Sequence, residues 1–522
     1  MSSPAPVQKG DLSLKEVQKK KPDEKSDIDI LIVGVEFKGN TIFSDQELRS
    51  PWQRFLNKTS KLDEILAVVA ELTAKYRNEG YFLSTIVPLA VKSGGGFKIQ
   101  LVVVEGYIDR VILEPIRDGF FLGPDRERIL AYAERIKASR PLHIDDLERG
   151  LLLIRDMPGV SVKSVLRPSA KTAGAADLHL LIEHDEFSAR LSKNNRGSKT
   201  LGRYRVQGSV SLRSWTGRSE ETSLGVSTLL PAQDGAGSLG HLQVSHKELI
   251  GNNGLSFTSQ ASYLRSEEGG VLTPLGVEGT AGLVSARLDF PFLRNRKQTL
   301  RGHIEGRYQT QKSRLMGETI THDTIWSVRA GASYEKRSNG RIAGAFLAIS
   351  KGFDVFDNTE RNSSQASRTG GWSDFAKIEG GARIDQALWG GLIGRLTIDA
   401  QYSPTRLLAL EEFYLGGSRY GRAYQASSLS GDSGFAASIE LSKTFPLLDP
   451  VSIQPYAYID GGRVWNHDPS GNNSLFSTGA GVRTIFGEKG WFDLSLNVPL
   501  SGHDLDDREE APRLYFSAAV TF

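Results

Sequence analysis

The stretch Gly490–Ser501, "GWFDLSLNVPLS", decides how the C-terminal part of this chain must be read. Phe492, Leu494, Leu496, Val498 and Leu500 interleave with Asp493, Ser495, Asn497 and Ser501. That is the period-two pattern of a strand with one apolar and one polar face. The pattern recurs at 395–403, where Leu396, Ile398, Ala400 and Tyr402 interleave with Arg395, Thr397, Asp399 and Gln401. It recurs again at the C-terminus, where Leu514, Phe516, Ala518, Val520 and Phe522 interleave with Arg513, Tyr515, Ser517 and Thr521. A soluble sandwich also alternates. What separates the two architectures is how many strands hold the alternation at bilayer-spanning length with polar groups on the other face. From Phe187 onward helical periodicity disappears and strands of about 10 to 14 residues follow one another. Residues 187–522, at roughly 20 residues per strand and turn, give about 16 strands, an even number as in bacterial outer-membrane barrels. The register of Phe516, Val520 and Phe522 closes the barrel at the last residue.

Composition excludes several classes. The 522 residues have room for roughly three domains. No run of about 18 apolar residues exists, so no transmembrane helix is expected. With 64 basic and 61 acidic residues the chain carries no nucleic-acid footprint. The absence of cysteine excludes thiol catalysis, disulfides and thiolate metal sites, and suits an oxidising compartment. Residues 1–27 are charged, contain proline and lack an apolar h-region. They read as a flexible segment with no signal peptide, in which Leu12 to Lys20 could form a short helix. An exported protein would then have Met1 as an artificial start on a mature or trimmed sequence.

Residues 28–106 follow the order β-α-α-β-β. Ile28 to Phe37 is an apolar strand, Gly39-Asn40 a turn, and Ser44 the cap of a first helix. Leu62, Ile65, Leu66, Val69, Leu72 and Tyr76 recur at helical spacing and predict a second helix burying that stripe. Strands at Tyr81 to Ala90 and Phe97 to Val104 complete the unit. The order then repeats over residues 107–186. Strands are expected at Tyr107 to Leu113, Val160 to Leu166 and Leu178 to Ile182, and helices at Asp125 to Arg135 and Ile144 to Arg155. Two such units point to tandem modules.

The least strand-like part of the C-terminal region is "FYLGGSRYGRAYQASSLSGDSGF", residues 413–435. Its Gly431-Asp432-Ser433-Gly434 imitates a serine-protease nucleophile segment, but Phe435 replaces a usual glycine. None of the nine histidines sits where a base is needed. A turn into the strand Phe435 to Leu441 is the better reading. Gly197-Ser198-Lys199-Thr200 ends like a phosphate loop but lacks the upstream glycine and a following helix, and reads as a hairpin turn. Glu411-Glu412 reads as a solvated pair. No His-Glu-x-x-His zinc pattern exists, so no catalytic residue, metal or cofactor is expected. The stretch "VSIQPYAYIDGGRVWN", residues 451–466, is more informative. Val451, Ile453, Pro455, Ala457 and Ile459 take one face, and Ser452, Gln454, Tyr456, Tyr458 and Asp460 the other. In a membrane barrel Asp460 then projects into the lumen, beside Gly461 and Gly462, which leave room for a close approach. Two readings stand side by side: a lumen carboxylate pairing with Arg422 on an inward-folded loop, or a solvated Asp and an extracellular Arg.

At these residues the chain resembles a known family, the TpsB transporters of two-partner secretion (FhaC/ShlB-like), within the POTRA-containing outer-membrane assembly superfamily. "VGVEFKGNTIFSDQEL" and "VVVEGYIDRVIL" look like the starts of two POTRA domains. "GGSRYGRAYQ…SGDSG" looks like the family's loop 6, at about 407–433, whose Val-Arg-Gly-Tyr tip stands here as Gly421-Arg422-Ala423-Tyr424. "YIDGG" matches the Phe-x-Asp-x-Gly strand motif, with Tyr458, Asp460 and Gly462 in the motif places. The resemblance implies that Arg422 contacts Asp460 on the inner wall. It implies a 16-stranded antiparallel transmembrane β-barrel over residues 187–522, preceded by POTRA 1 (28–106) and POTRA 2 (107–186). It further implies a monomer in outer-membrane lipid, POTRA domains in the periplasm, and an unfolded, β-rich TpsA-type exoprotein as cargo. Family members often begin with a plug helix and linker; with 27 residues before the first module, a plug here is expected to be missing or truncated. The rivals are an insertase for other barrel proteins and a small-solute diffusion porin.

Overall fold

The computed structural model describes residues 28–115, 125–198, 200–230, 237–467, 473–501 and 511–522. Residues 1–27, including the helix expected at Leu12 to Lys20, and Lys199 of the hairpin turn lie outside the described residues. The chain divides into two units, residues 1–184 and 185–522.

In the N-terminal unit the first module is a four-stranded sheet against helices. Asp29–Lys38 runs parallel to Gly96–Val104, which pairs antiparallel with Thr85–Ser93. A strand that the pattern did not announce, Lys58–Lys61, adds to the other edge of Asp29–Lys38. Its sequence, Lys-Thr-Ser-Lys, has no apolar alternation, because only Ser60 of the four faces the core. Ser44 caps Asp45–Arg49 in a capping box, its hydroxyl accepting from Glu47 N while the Glu47 carboxylate reaches back to Ser44 N. The helix Leu62–Asn78 buries Ile65, Val68, Val69, Leu72 and Tyr76. Leu66, expected in that stripe, is 45% exposed: it lies one residue round from Ile65, about 100° away, and Val68 takes the core position instead. The strand expected from Tyr81 starts at Thr85, because Tyr81 is held in a turn with its ring against Tyr76 and His143. The second module places Tyr107–Pro115 and Val160–Pro168 on either side of Ala175–His184, with helices Asp125–Ala138 and Ile144–Arg155.

The end of the first module is fastened by Glu105. Its Oε1 accepts from Thr41 N (2.7 Å), Ile42 N (3.1 Å) and the Tyr76 hydroxyl (3.0 Å), and its Oε2 from the Thr41 hydroxyl. One carboxylate thus ties the first turn, the long helix and the last strand together.

The second unit is a closed antiparallel barrel of 16 strands, counting Ser433–Lys443 and Phe445–Leu448 as two pieces of one, since both pair with Val451–Trp465. Closure is made by Arg513–Thr521 against Phe187–Asn194, from Ser517 opposite Asn194 to Thr521 opposite Arg190, with Phe522 and Ala189 exchanging backbone hydrogen bonds. Phe516 pairs with Leu494 and stacks toward Tyr204, and Val520 lies opposite Leu191. Phe522 is exposed on the outer face, as lipid contact requires. Alternation holds throughout: Leu494, Leu496, Ile459, Ile439 and Ile304 are exposed outward, whereas Ser495, Asn497, Asp460, Ser438 and Glu440 are buried inside. Some strands exceed the expected length, Glu318–Ser338 reaching 21 residues. A tight turn at Met316-Gly317, both with positive φ, lets that hairpin continue past the bilayer. With the N-terminal unit in the periplasm, as the resemblance implies, the chain's first strand runs outward, so residues 354–375, residues 403–432 and the stretch that begins at Asn466 are the fifth, sixth and seventh extracellular connections.

Burial alone raises the Glu105 carboxyl, but the hydrogen bonds from Thr41, Ile42 and Tyr76 outweigh it and hold it below the ordinary carboxylate range. A depressed folded-state pKa contributes stability above the unfolded value, and that stability is lost as pH falls through the folded one. Glu105→Gln is therefore expected to destabilise the first module by roughly 1 kcal/mol at neutral pH, low in the range because the group is partly solvated. The difference from the parent should vanish in acid. Fluorescence of Trp52, buried and the sole tryptophan before residue 185, reports it during unfolding of the full chain.

Candidate functional site: a loop clasped in the barrel lumen

The sixth extracellular connection folds into the barrel. It is stiffened by a short antiparallel pair, Phe413–Leu415 with Leu429–Gly431, and turns back at Gly421, whose φ of 68° is left-handed. Leu415, Tyr420, Ala423 and Tyr424 form an apolar cluster with Ala436, Val464 and Leu475 of the wall. The Tyr424 hydroxyl donates to the carbonyls of Phe476 (3.2 Å) and Ser501. The loop is thus docked through an apolar core that it shares with the wall.

The tip sits in a cradle made by strand register. Ser438, Asp460 and Ser477 lie side by side on three adjacent strands. Asp460 Oδ1 accepts from Gly421 N (2.9 Å), Arg422 N (3.4 Å) and the Ser477 hydroxyl (2.5 Å). Arg422 Nε lies 3.1 Å from Asp460 Oδ2, a charge contact whose N–H is not aligned for a hydrogen bond. Its other nitrogens donate to Glu440 Oε2 (2.9 Å) and the Ser438 hydroxyl (3.0 Å), and its guanidinium lies 4.0 Å above the Tyr458 ring. The Asp460 side chain is fully buried and that of Arg422 is 15% exposed. Structure therefore brings Arg422 and Asp460 together, with the backbone of Gly421 as a further donor.

Of the other motif residues, Tyr458 forms the floor under Arg422 and donates to Asn497 Oδ1 (2.5 Å). Gly462 accommodates the loop: a Cβ there would stand 2.8 Å from Leu415 Cδ2. Gly461, grouped with it in the sequence reading, instead abuts Phe476 and Leu475 of the next strand, so only one of the two glycines serves the loop.

Sequence reasoning missed the second half of the clasp. Glu440 is shared: Arg483 grips it with two nitrogens at 2.8 and 3.0 Å, and Arg395 lies 3.5 Å away. Arg483 stacks 3.9 Å over Tyr456, parallel to Arg422 over Tyr458, and reaches Asp493 at 3.3 Å. Arg196 donates to the Arg422 carbonyl (3.2 Å). Glu440, Arg483 and Arg395 lie on the polar faces of their strands, which alternation does reveal, whereas Arg196 lies in the connection after Phe187–Asn194 and has no such signal. Which of them face the loop tip depends on register around the barrel. Glu411 and Glu412 require a correction. They are buried, Glu411 paired with Lys377 (2.7 Å) and Glu412 with Arg368 (3.1 Å), because the base of the loop packs inside the wall. Asp432, in the protease-like tetrad, is also buried, and its carboxylate accepts from the Arg368 guanidinium and from the backbone N–H groups of Leu407 and His467. Among the described residues no cluster of side chains fits a metal ion.

A closed, polar-lined barrel of this size with β/α modules before it and a loop docked in its lumen defines an outer-membrane pore with N-terminal periplasmic domains. The profile of the haemolysin secretion/activation proteins ShlB/FhaC/HecB matches residues 179–484, and that of the ShlB-type POTRA domain matches residues 30–106. The chain belongs to the ShlB/FhaC/HecB family, the outer-membrane transporters of two-partner secretion. It is 22% identical over 500 residues to the heme/hemopexin transporter protein HuxB of Haemophilus influenzae (strain 86-028NP), covering 91% of this chain and 84% of the relative. It is 22% identical over 468 residues to the hemolysin transporter protein ShlB of Serratia marcescens, covering 87% and 78%. The solved structure of CdiB from Escherichia coli shares the fold, with a TM-score of 0.75 at 17% identity over 96% of this chain and 93% of that one.

Asp460→Asn removes the charge while keeping the shape. It is expected to weaken loop docking by on the order of 2 kcal/mol, hence about 30-fold in the open-to-closed ratio. Single-channel recording in planar bilayers measures this as more frequent openings. An unchanged opening frequency would show that the pair does not hold the loop.

Proposed function

We propose that this transporter secretes one partner exoprotein as an unfolded, β-rich chain, and that the Arg422–Asp460–Glu440 clasp holds the pore shut at rest. The observation that carries the gating half is the clasp itself. A loop that shares an apolar core with the wall and carries a buried, multiply bonded arginine supports a built closure over a loop collapsed by chance. The first module supports the receiving half. Its edge strand Thr85–Ser93 leaves backbone groups free on one side and exposes Val87, Leu89 and Val91 in alternation, a surface suited to strand addition by an extended apolar-patterned chain. Residues 107–184, with their own three-stranded sheet and helix pair, act as a second POTRA module on this reading. The barrel works as a monomer in outer-membrane lipid and needs no catalytic residue or cofactor. Translocation would draw on folding of the cargo outside the cell.

Deleting residues 28–105 separates this reading from its rivals. Loss of secretion of a single exoprotein, with other barrel proteins inserted normally, is the expected result. A general loss of barrel proteins would favour an insertase. Solute conduction unaffected by any protein cargo would favour a diffusion pore.

A further inference from the structure

The fifth extracellular connection, residues 354–375, also folds inward, and its Arg368 lies outside every motif quoted above. Arg368 Nη1 donates to Asp432 Oδ1 (2.5 Å) and the Leu407 carbonyl (2.7 Å) and lies 3.1 Å from Glu412 Oε1. Its Nη2 donates to Asn466 Oδ1 (2.9 Å) in the seventh connection. Asp432, 1% exposed, accepts in addition from Leu407 N (2.8 Å) and His467 N (3.1 Å). One guanidinium therefore gathers three connections, and its partners are the residues that mimicked a protease nucleophile and a solvated acidic pair.

The same connection is fixed to the barrel wall by separate contacts. Ser367 N donates to Asp323 Oδ1 (2.9 Å), Thr359 N to the Thr324 carbonyl (3.0 Å), and His322 N to the Gln365 carbonyl (2.7 Å). Ser367 also accepts from Ala409 N of the sixth connection (2.9 Å). Beneath them Ile325, Phe375, Leu407 and Leu408 form a buried apolar cluster. Ile325 is an apolar residue on the inner face of its strand, alternating with outward Trp326, and is fully buried. A residue of that kind is stable in a polar lumen only when something apolar covers it, and this loop does so.

We propose that Arg368 is a second clasp. The fifth connection is a strap closed over the base of loop 6 and pinned to the wall, and it must release, as the Arg422 clasp must, before the exit opens. The proposal rests on the gating reading above and extends it to a residue and loop with no contact to Asp460. The two clasps share no side chain, so their contributions to opening multiply.

The test uses the full-length protein in planar bilayers, with secretion measured in parallel. Arg368→Gln leaves the Arg422 clasp untouched and is expected to raise the opening frequency on the order of tenfold, both alone and in the Asp460→Asn background. No change in either background would overturn the proposal. Because the chain lacks cysteine, Asp323→Cys with Ser367→Cys offers a second test, in which the side-chain bonds of Asp323 and Ser367 are lost in the reduced form and a covalent tie replaces them in the oxidised form. Oxidation should abolish openings even with Asp460→Asn present, and a reductant should restore them. Openings that persist in the oxidised protein would overturn the proposal, and a pair that does not oxidise would overturn the packing of the strap on the wall. If conductance follows these expectations while secretion of an exoprotein ignores them, the strap stands and the secretion reading falls.

Discussion

Inside a bilayer no water is available to the backbone, so every N–H and C=O of a spanning segment must find a protein partner. Strands meet that requirement only when the sheet closes on itself, and here the last strand returns to the first. Closure has a second consequence. With lipid outside, side chains sort by alternation into an apolar outer wall and a polar inner wall. The inner wall is then a sheltered surface where charges can be buried against one another. The clasp depends on this: Asp460, Glu440 and Ser438 are brought to one spot by the register that closes the barrel.

The clasp is held by more than opposite charge. Removing Arg422 from its cradle would leave Asp460 with Ser477 as its wall donor and Glu440 with Arg483. Both carboxylates thus keep a partner when the loop departs. A buried ion pair whose members would be stranded on separation is strongly resistant to opening. Sharing Glu440 between Arg422 and Arg483 moderates that penalty, which suits the gate proposed above. The parallel stacking of the two arginines on Tyr456 and Tyr458 supplies a flat floor that remains after the loop moves.

The candidate site was partly legible in the residues. Asp460 was placed in the lumen by alternation, and Arg422 as its partner by resemblance, because both sit in local patterns that survive without coordinates. Glu440, Arg483 and Arg196 were not linked to it, although the first two lie on polar strand faces. Their association is a matter of how strands are ordered and in what register, and Arg483 and Glu440 stand 43 positions apart in sequence. Glu411 and Glu412 were misread for a related reason. A Gly-rich stretch with paired acids looks solvated unless the cations that bury it, Lys377 and Arg368, are known to face it.

By itself the sequence determined the architecture: alternation over many strands required a closed barrel, and helical spacing followed by short strands required β/α modules before it. These features are local, and local periodicity is what burial against lipid or a small core imposes on a chain. Leu66 and the strand Lys58–Lys61 mark where that logic stops, since one residue round a helix or a polar edge strand leaves no trace in the pattern. Only the tertiary structure decided where loop 6 rests, that Glu440 is a shared anchor, and that Arg368 of a second connection bonds to Asp432 and Leu407 of the first. Those choices turn on long-range register and on the pairing of buried charges, for which a linear chain carries no period.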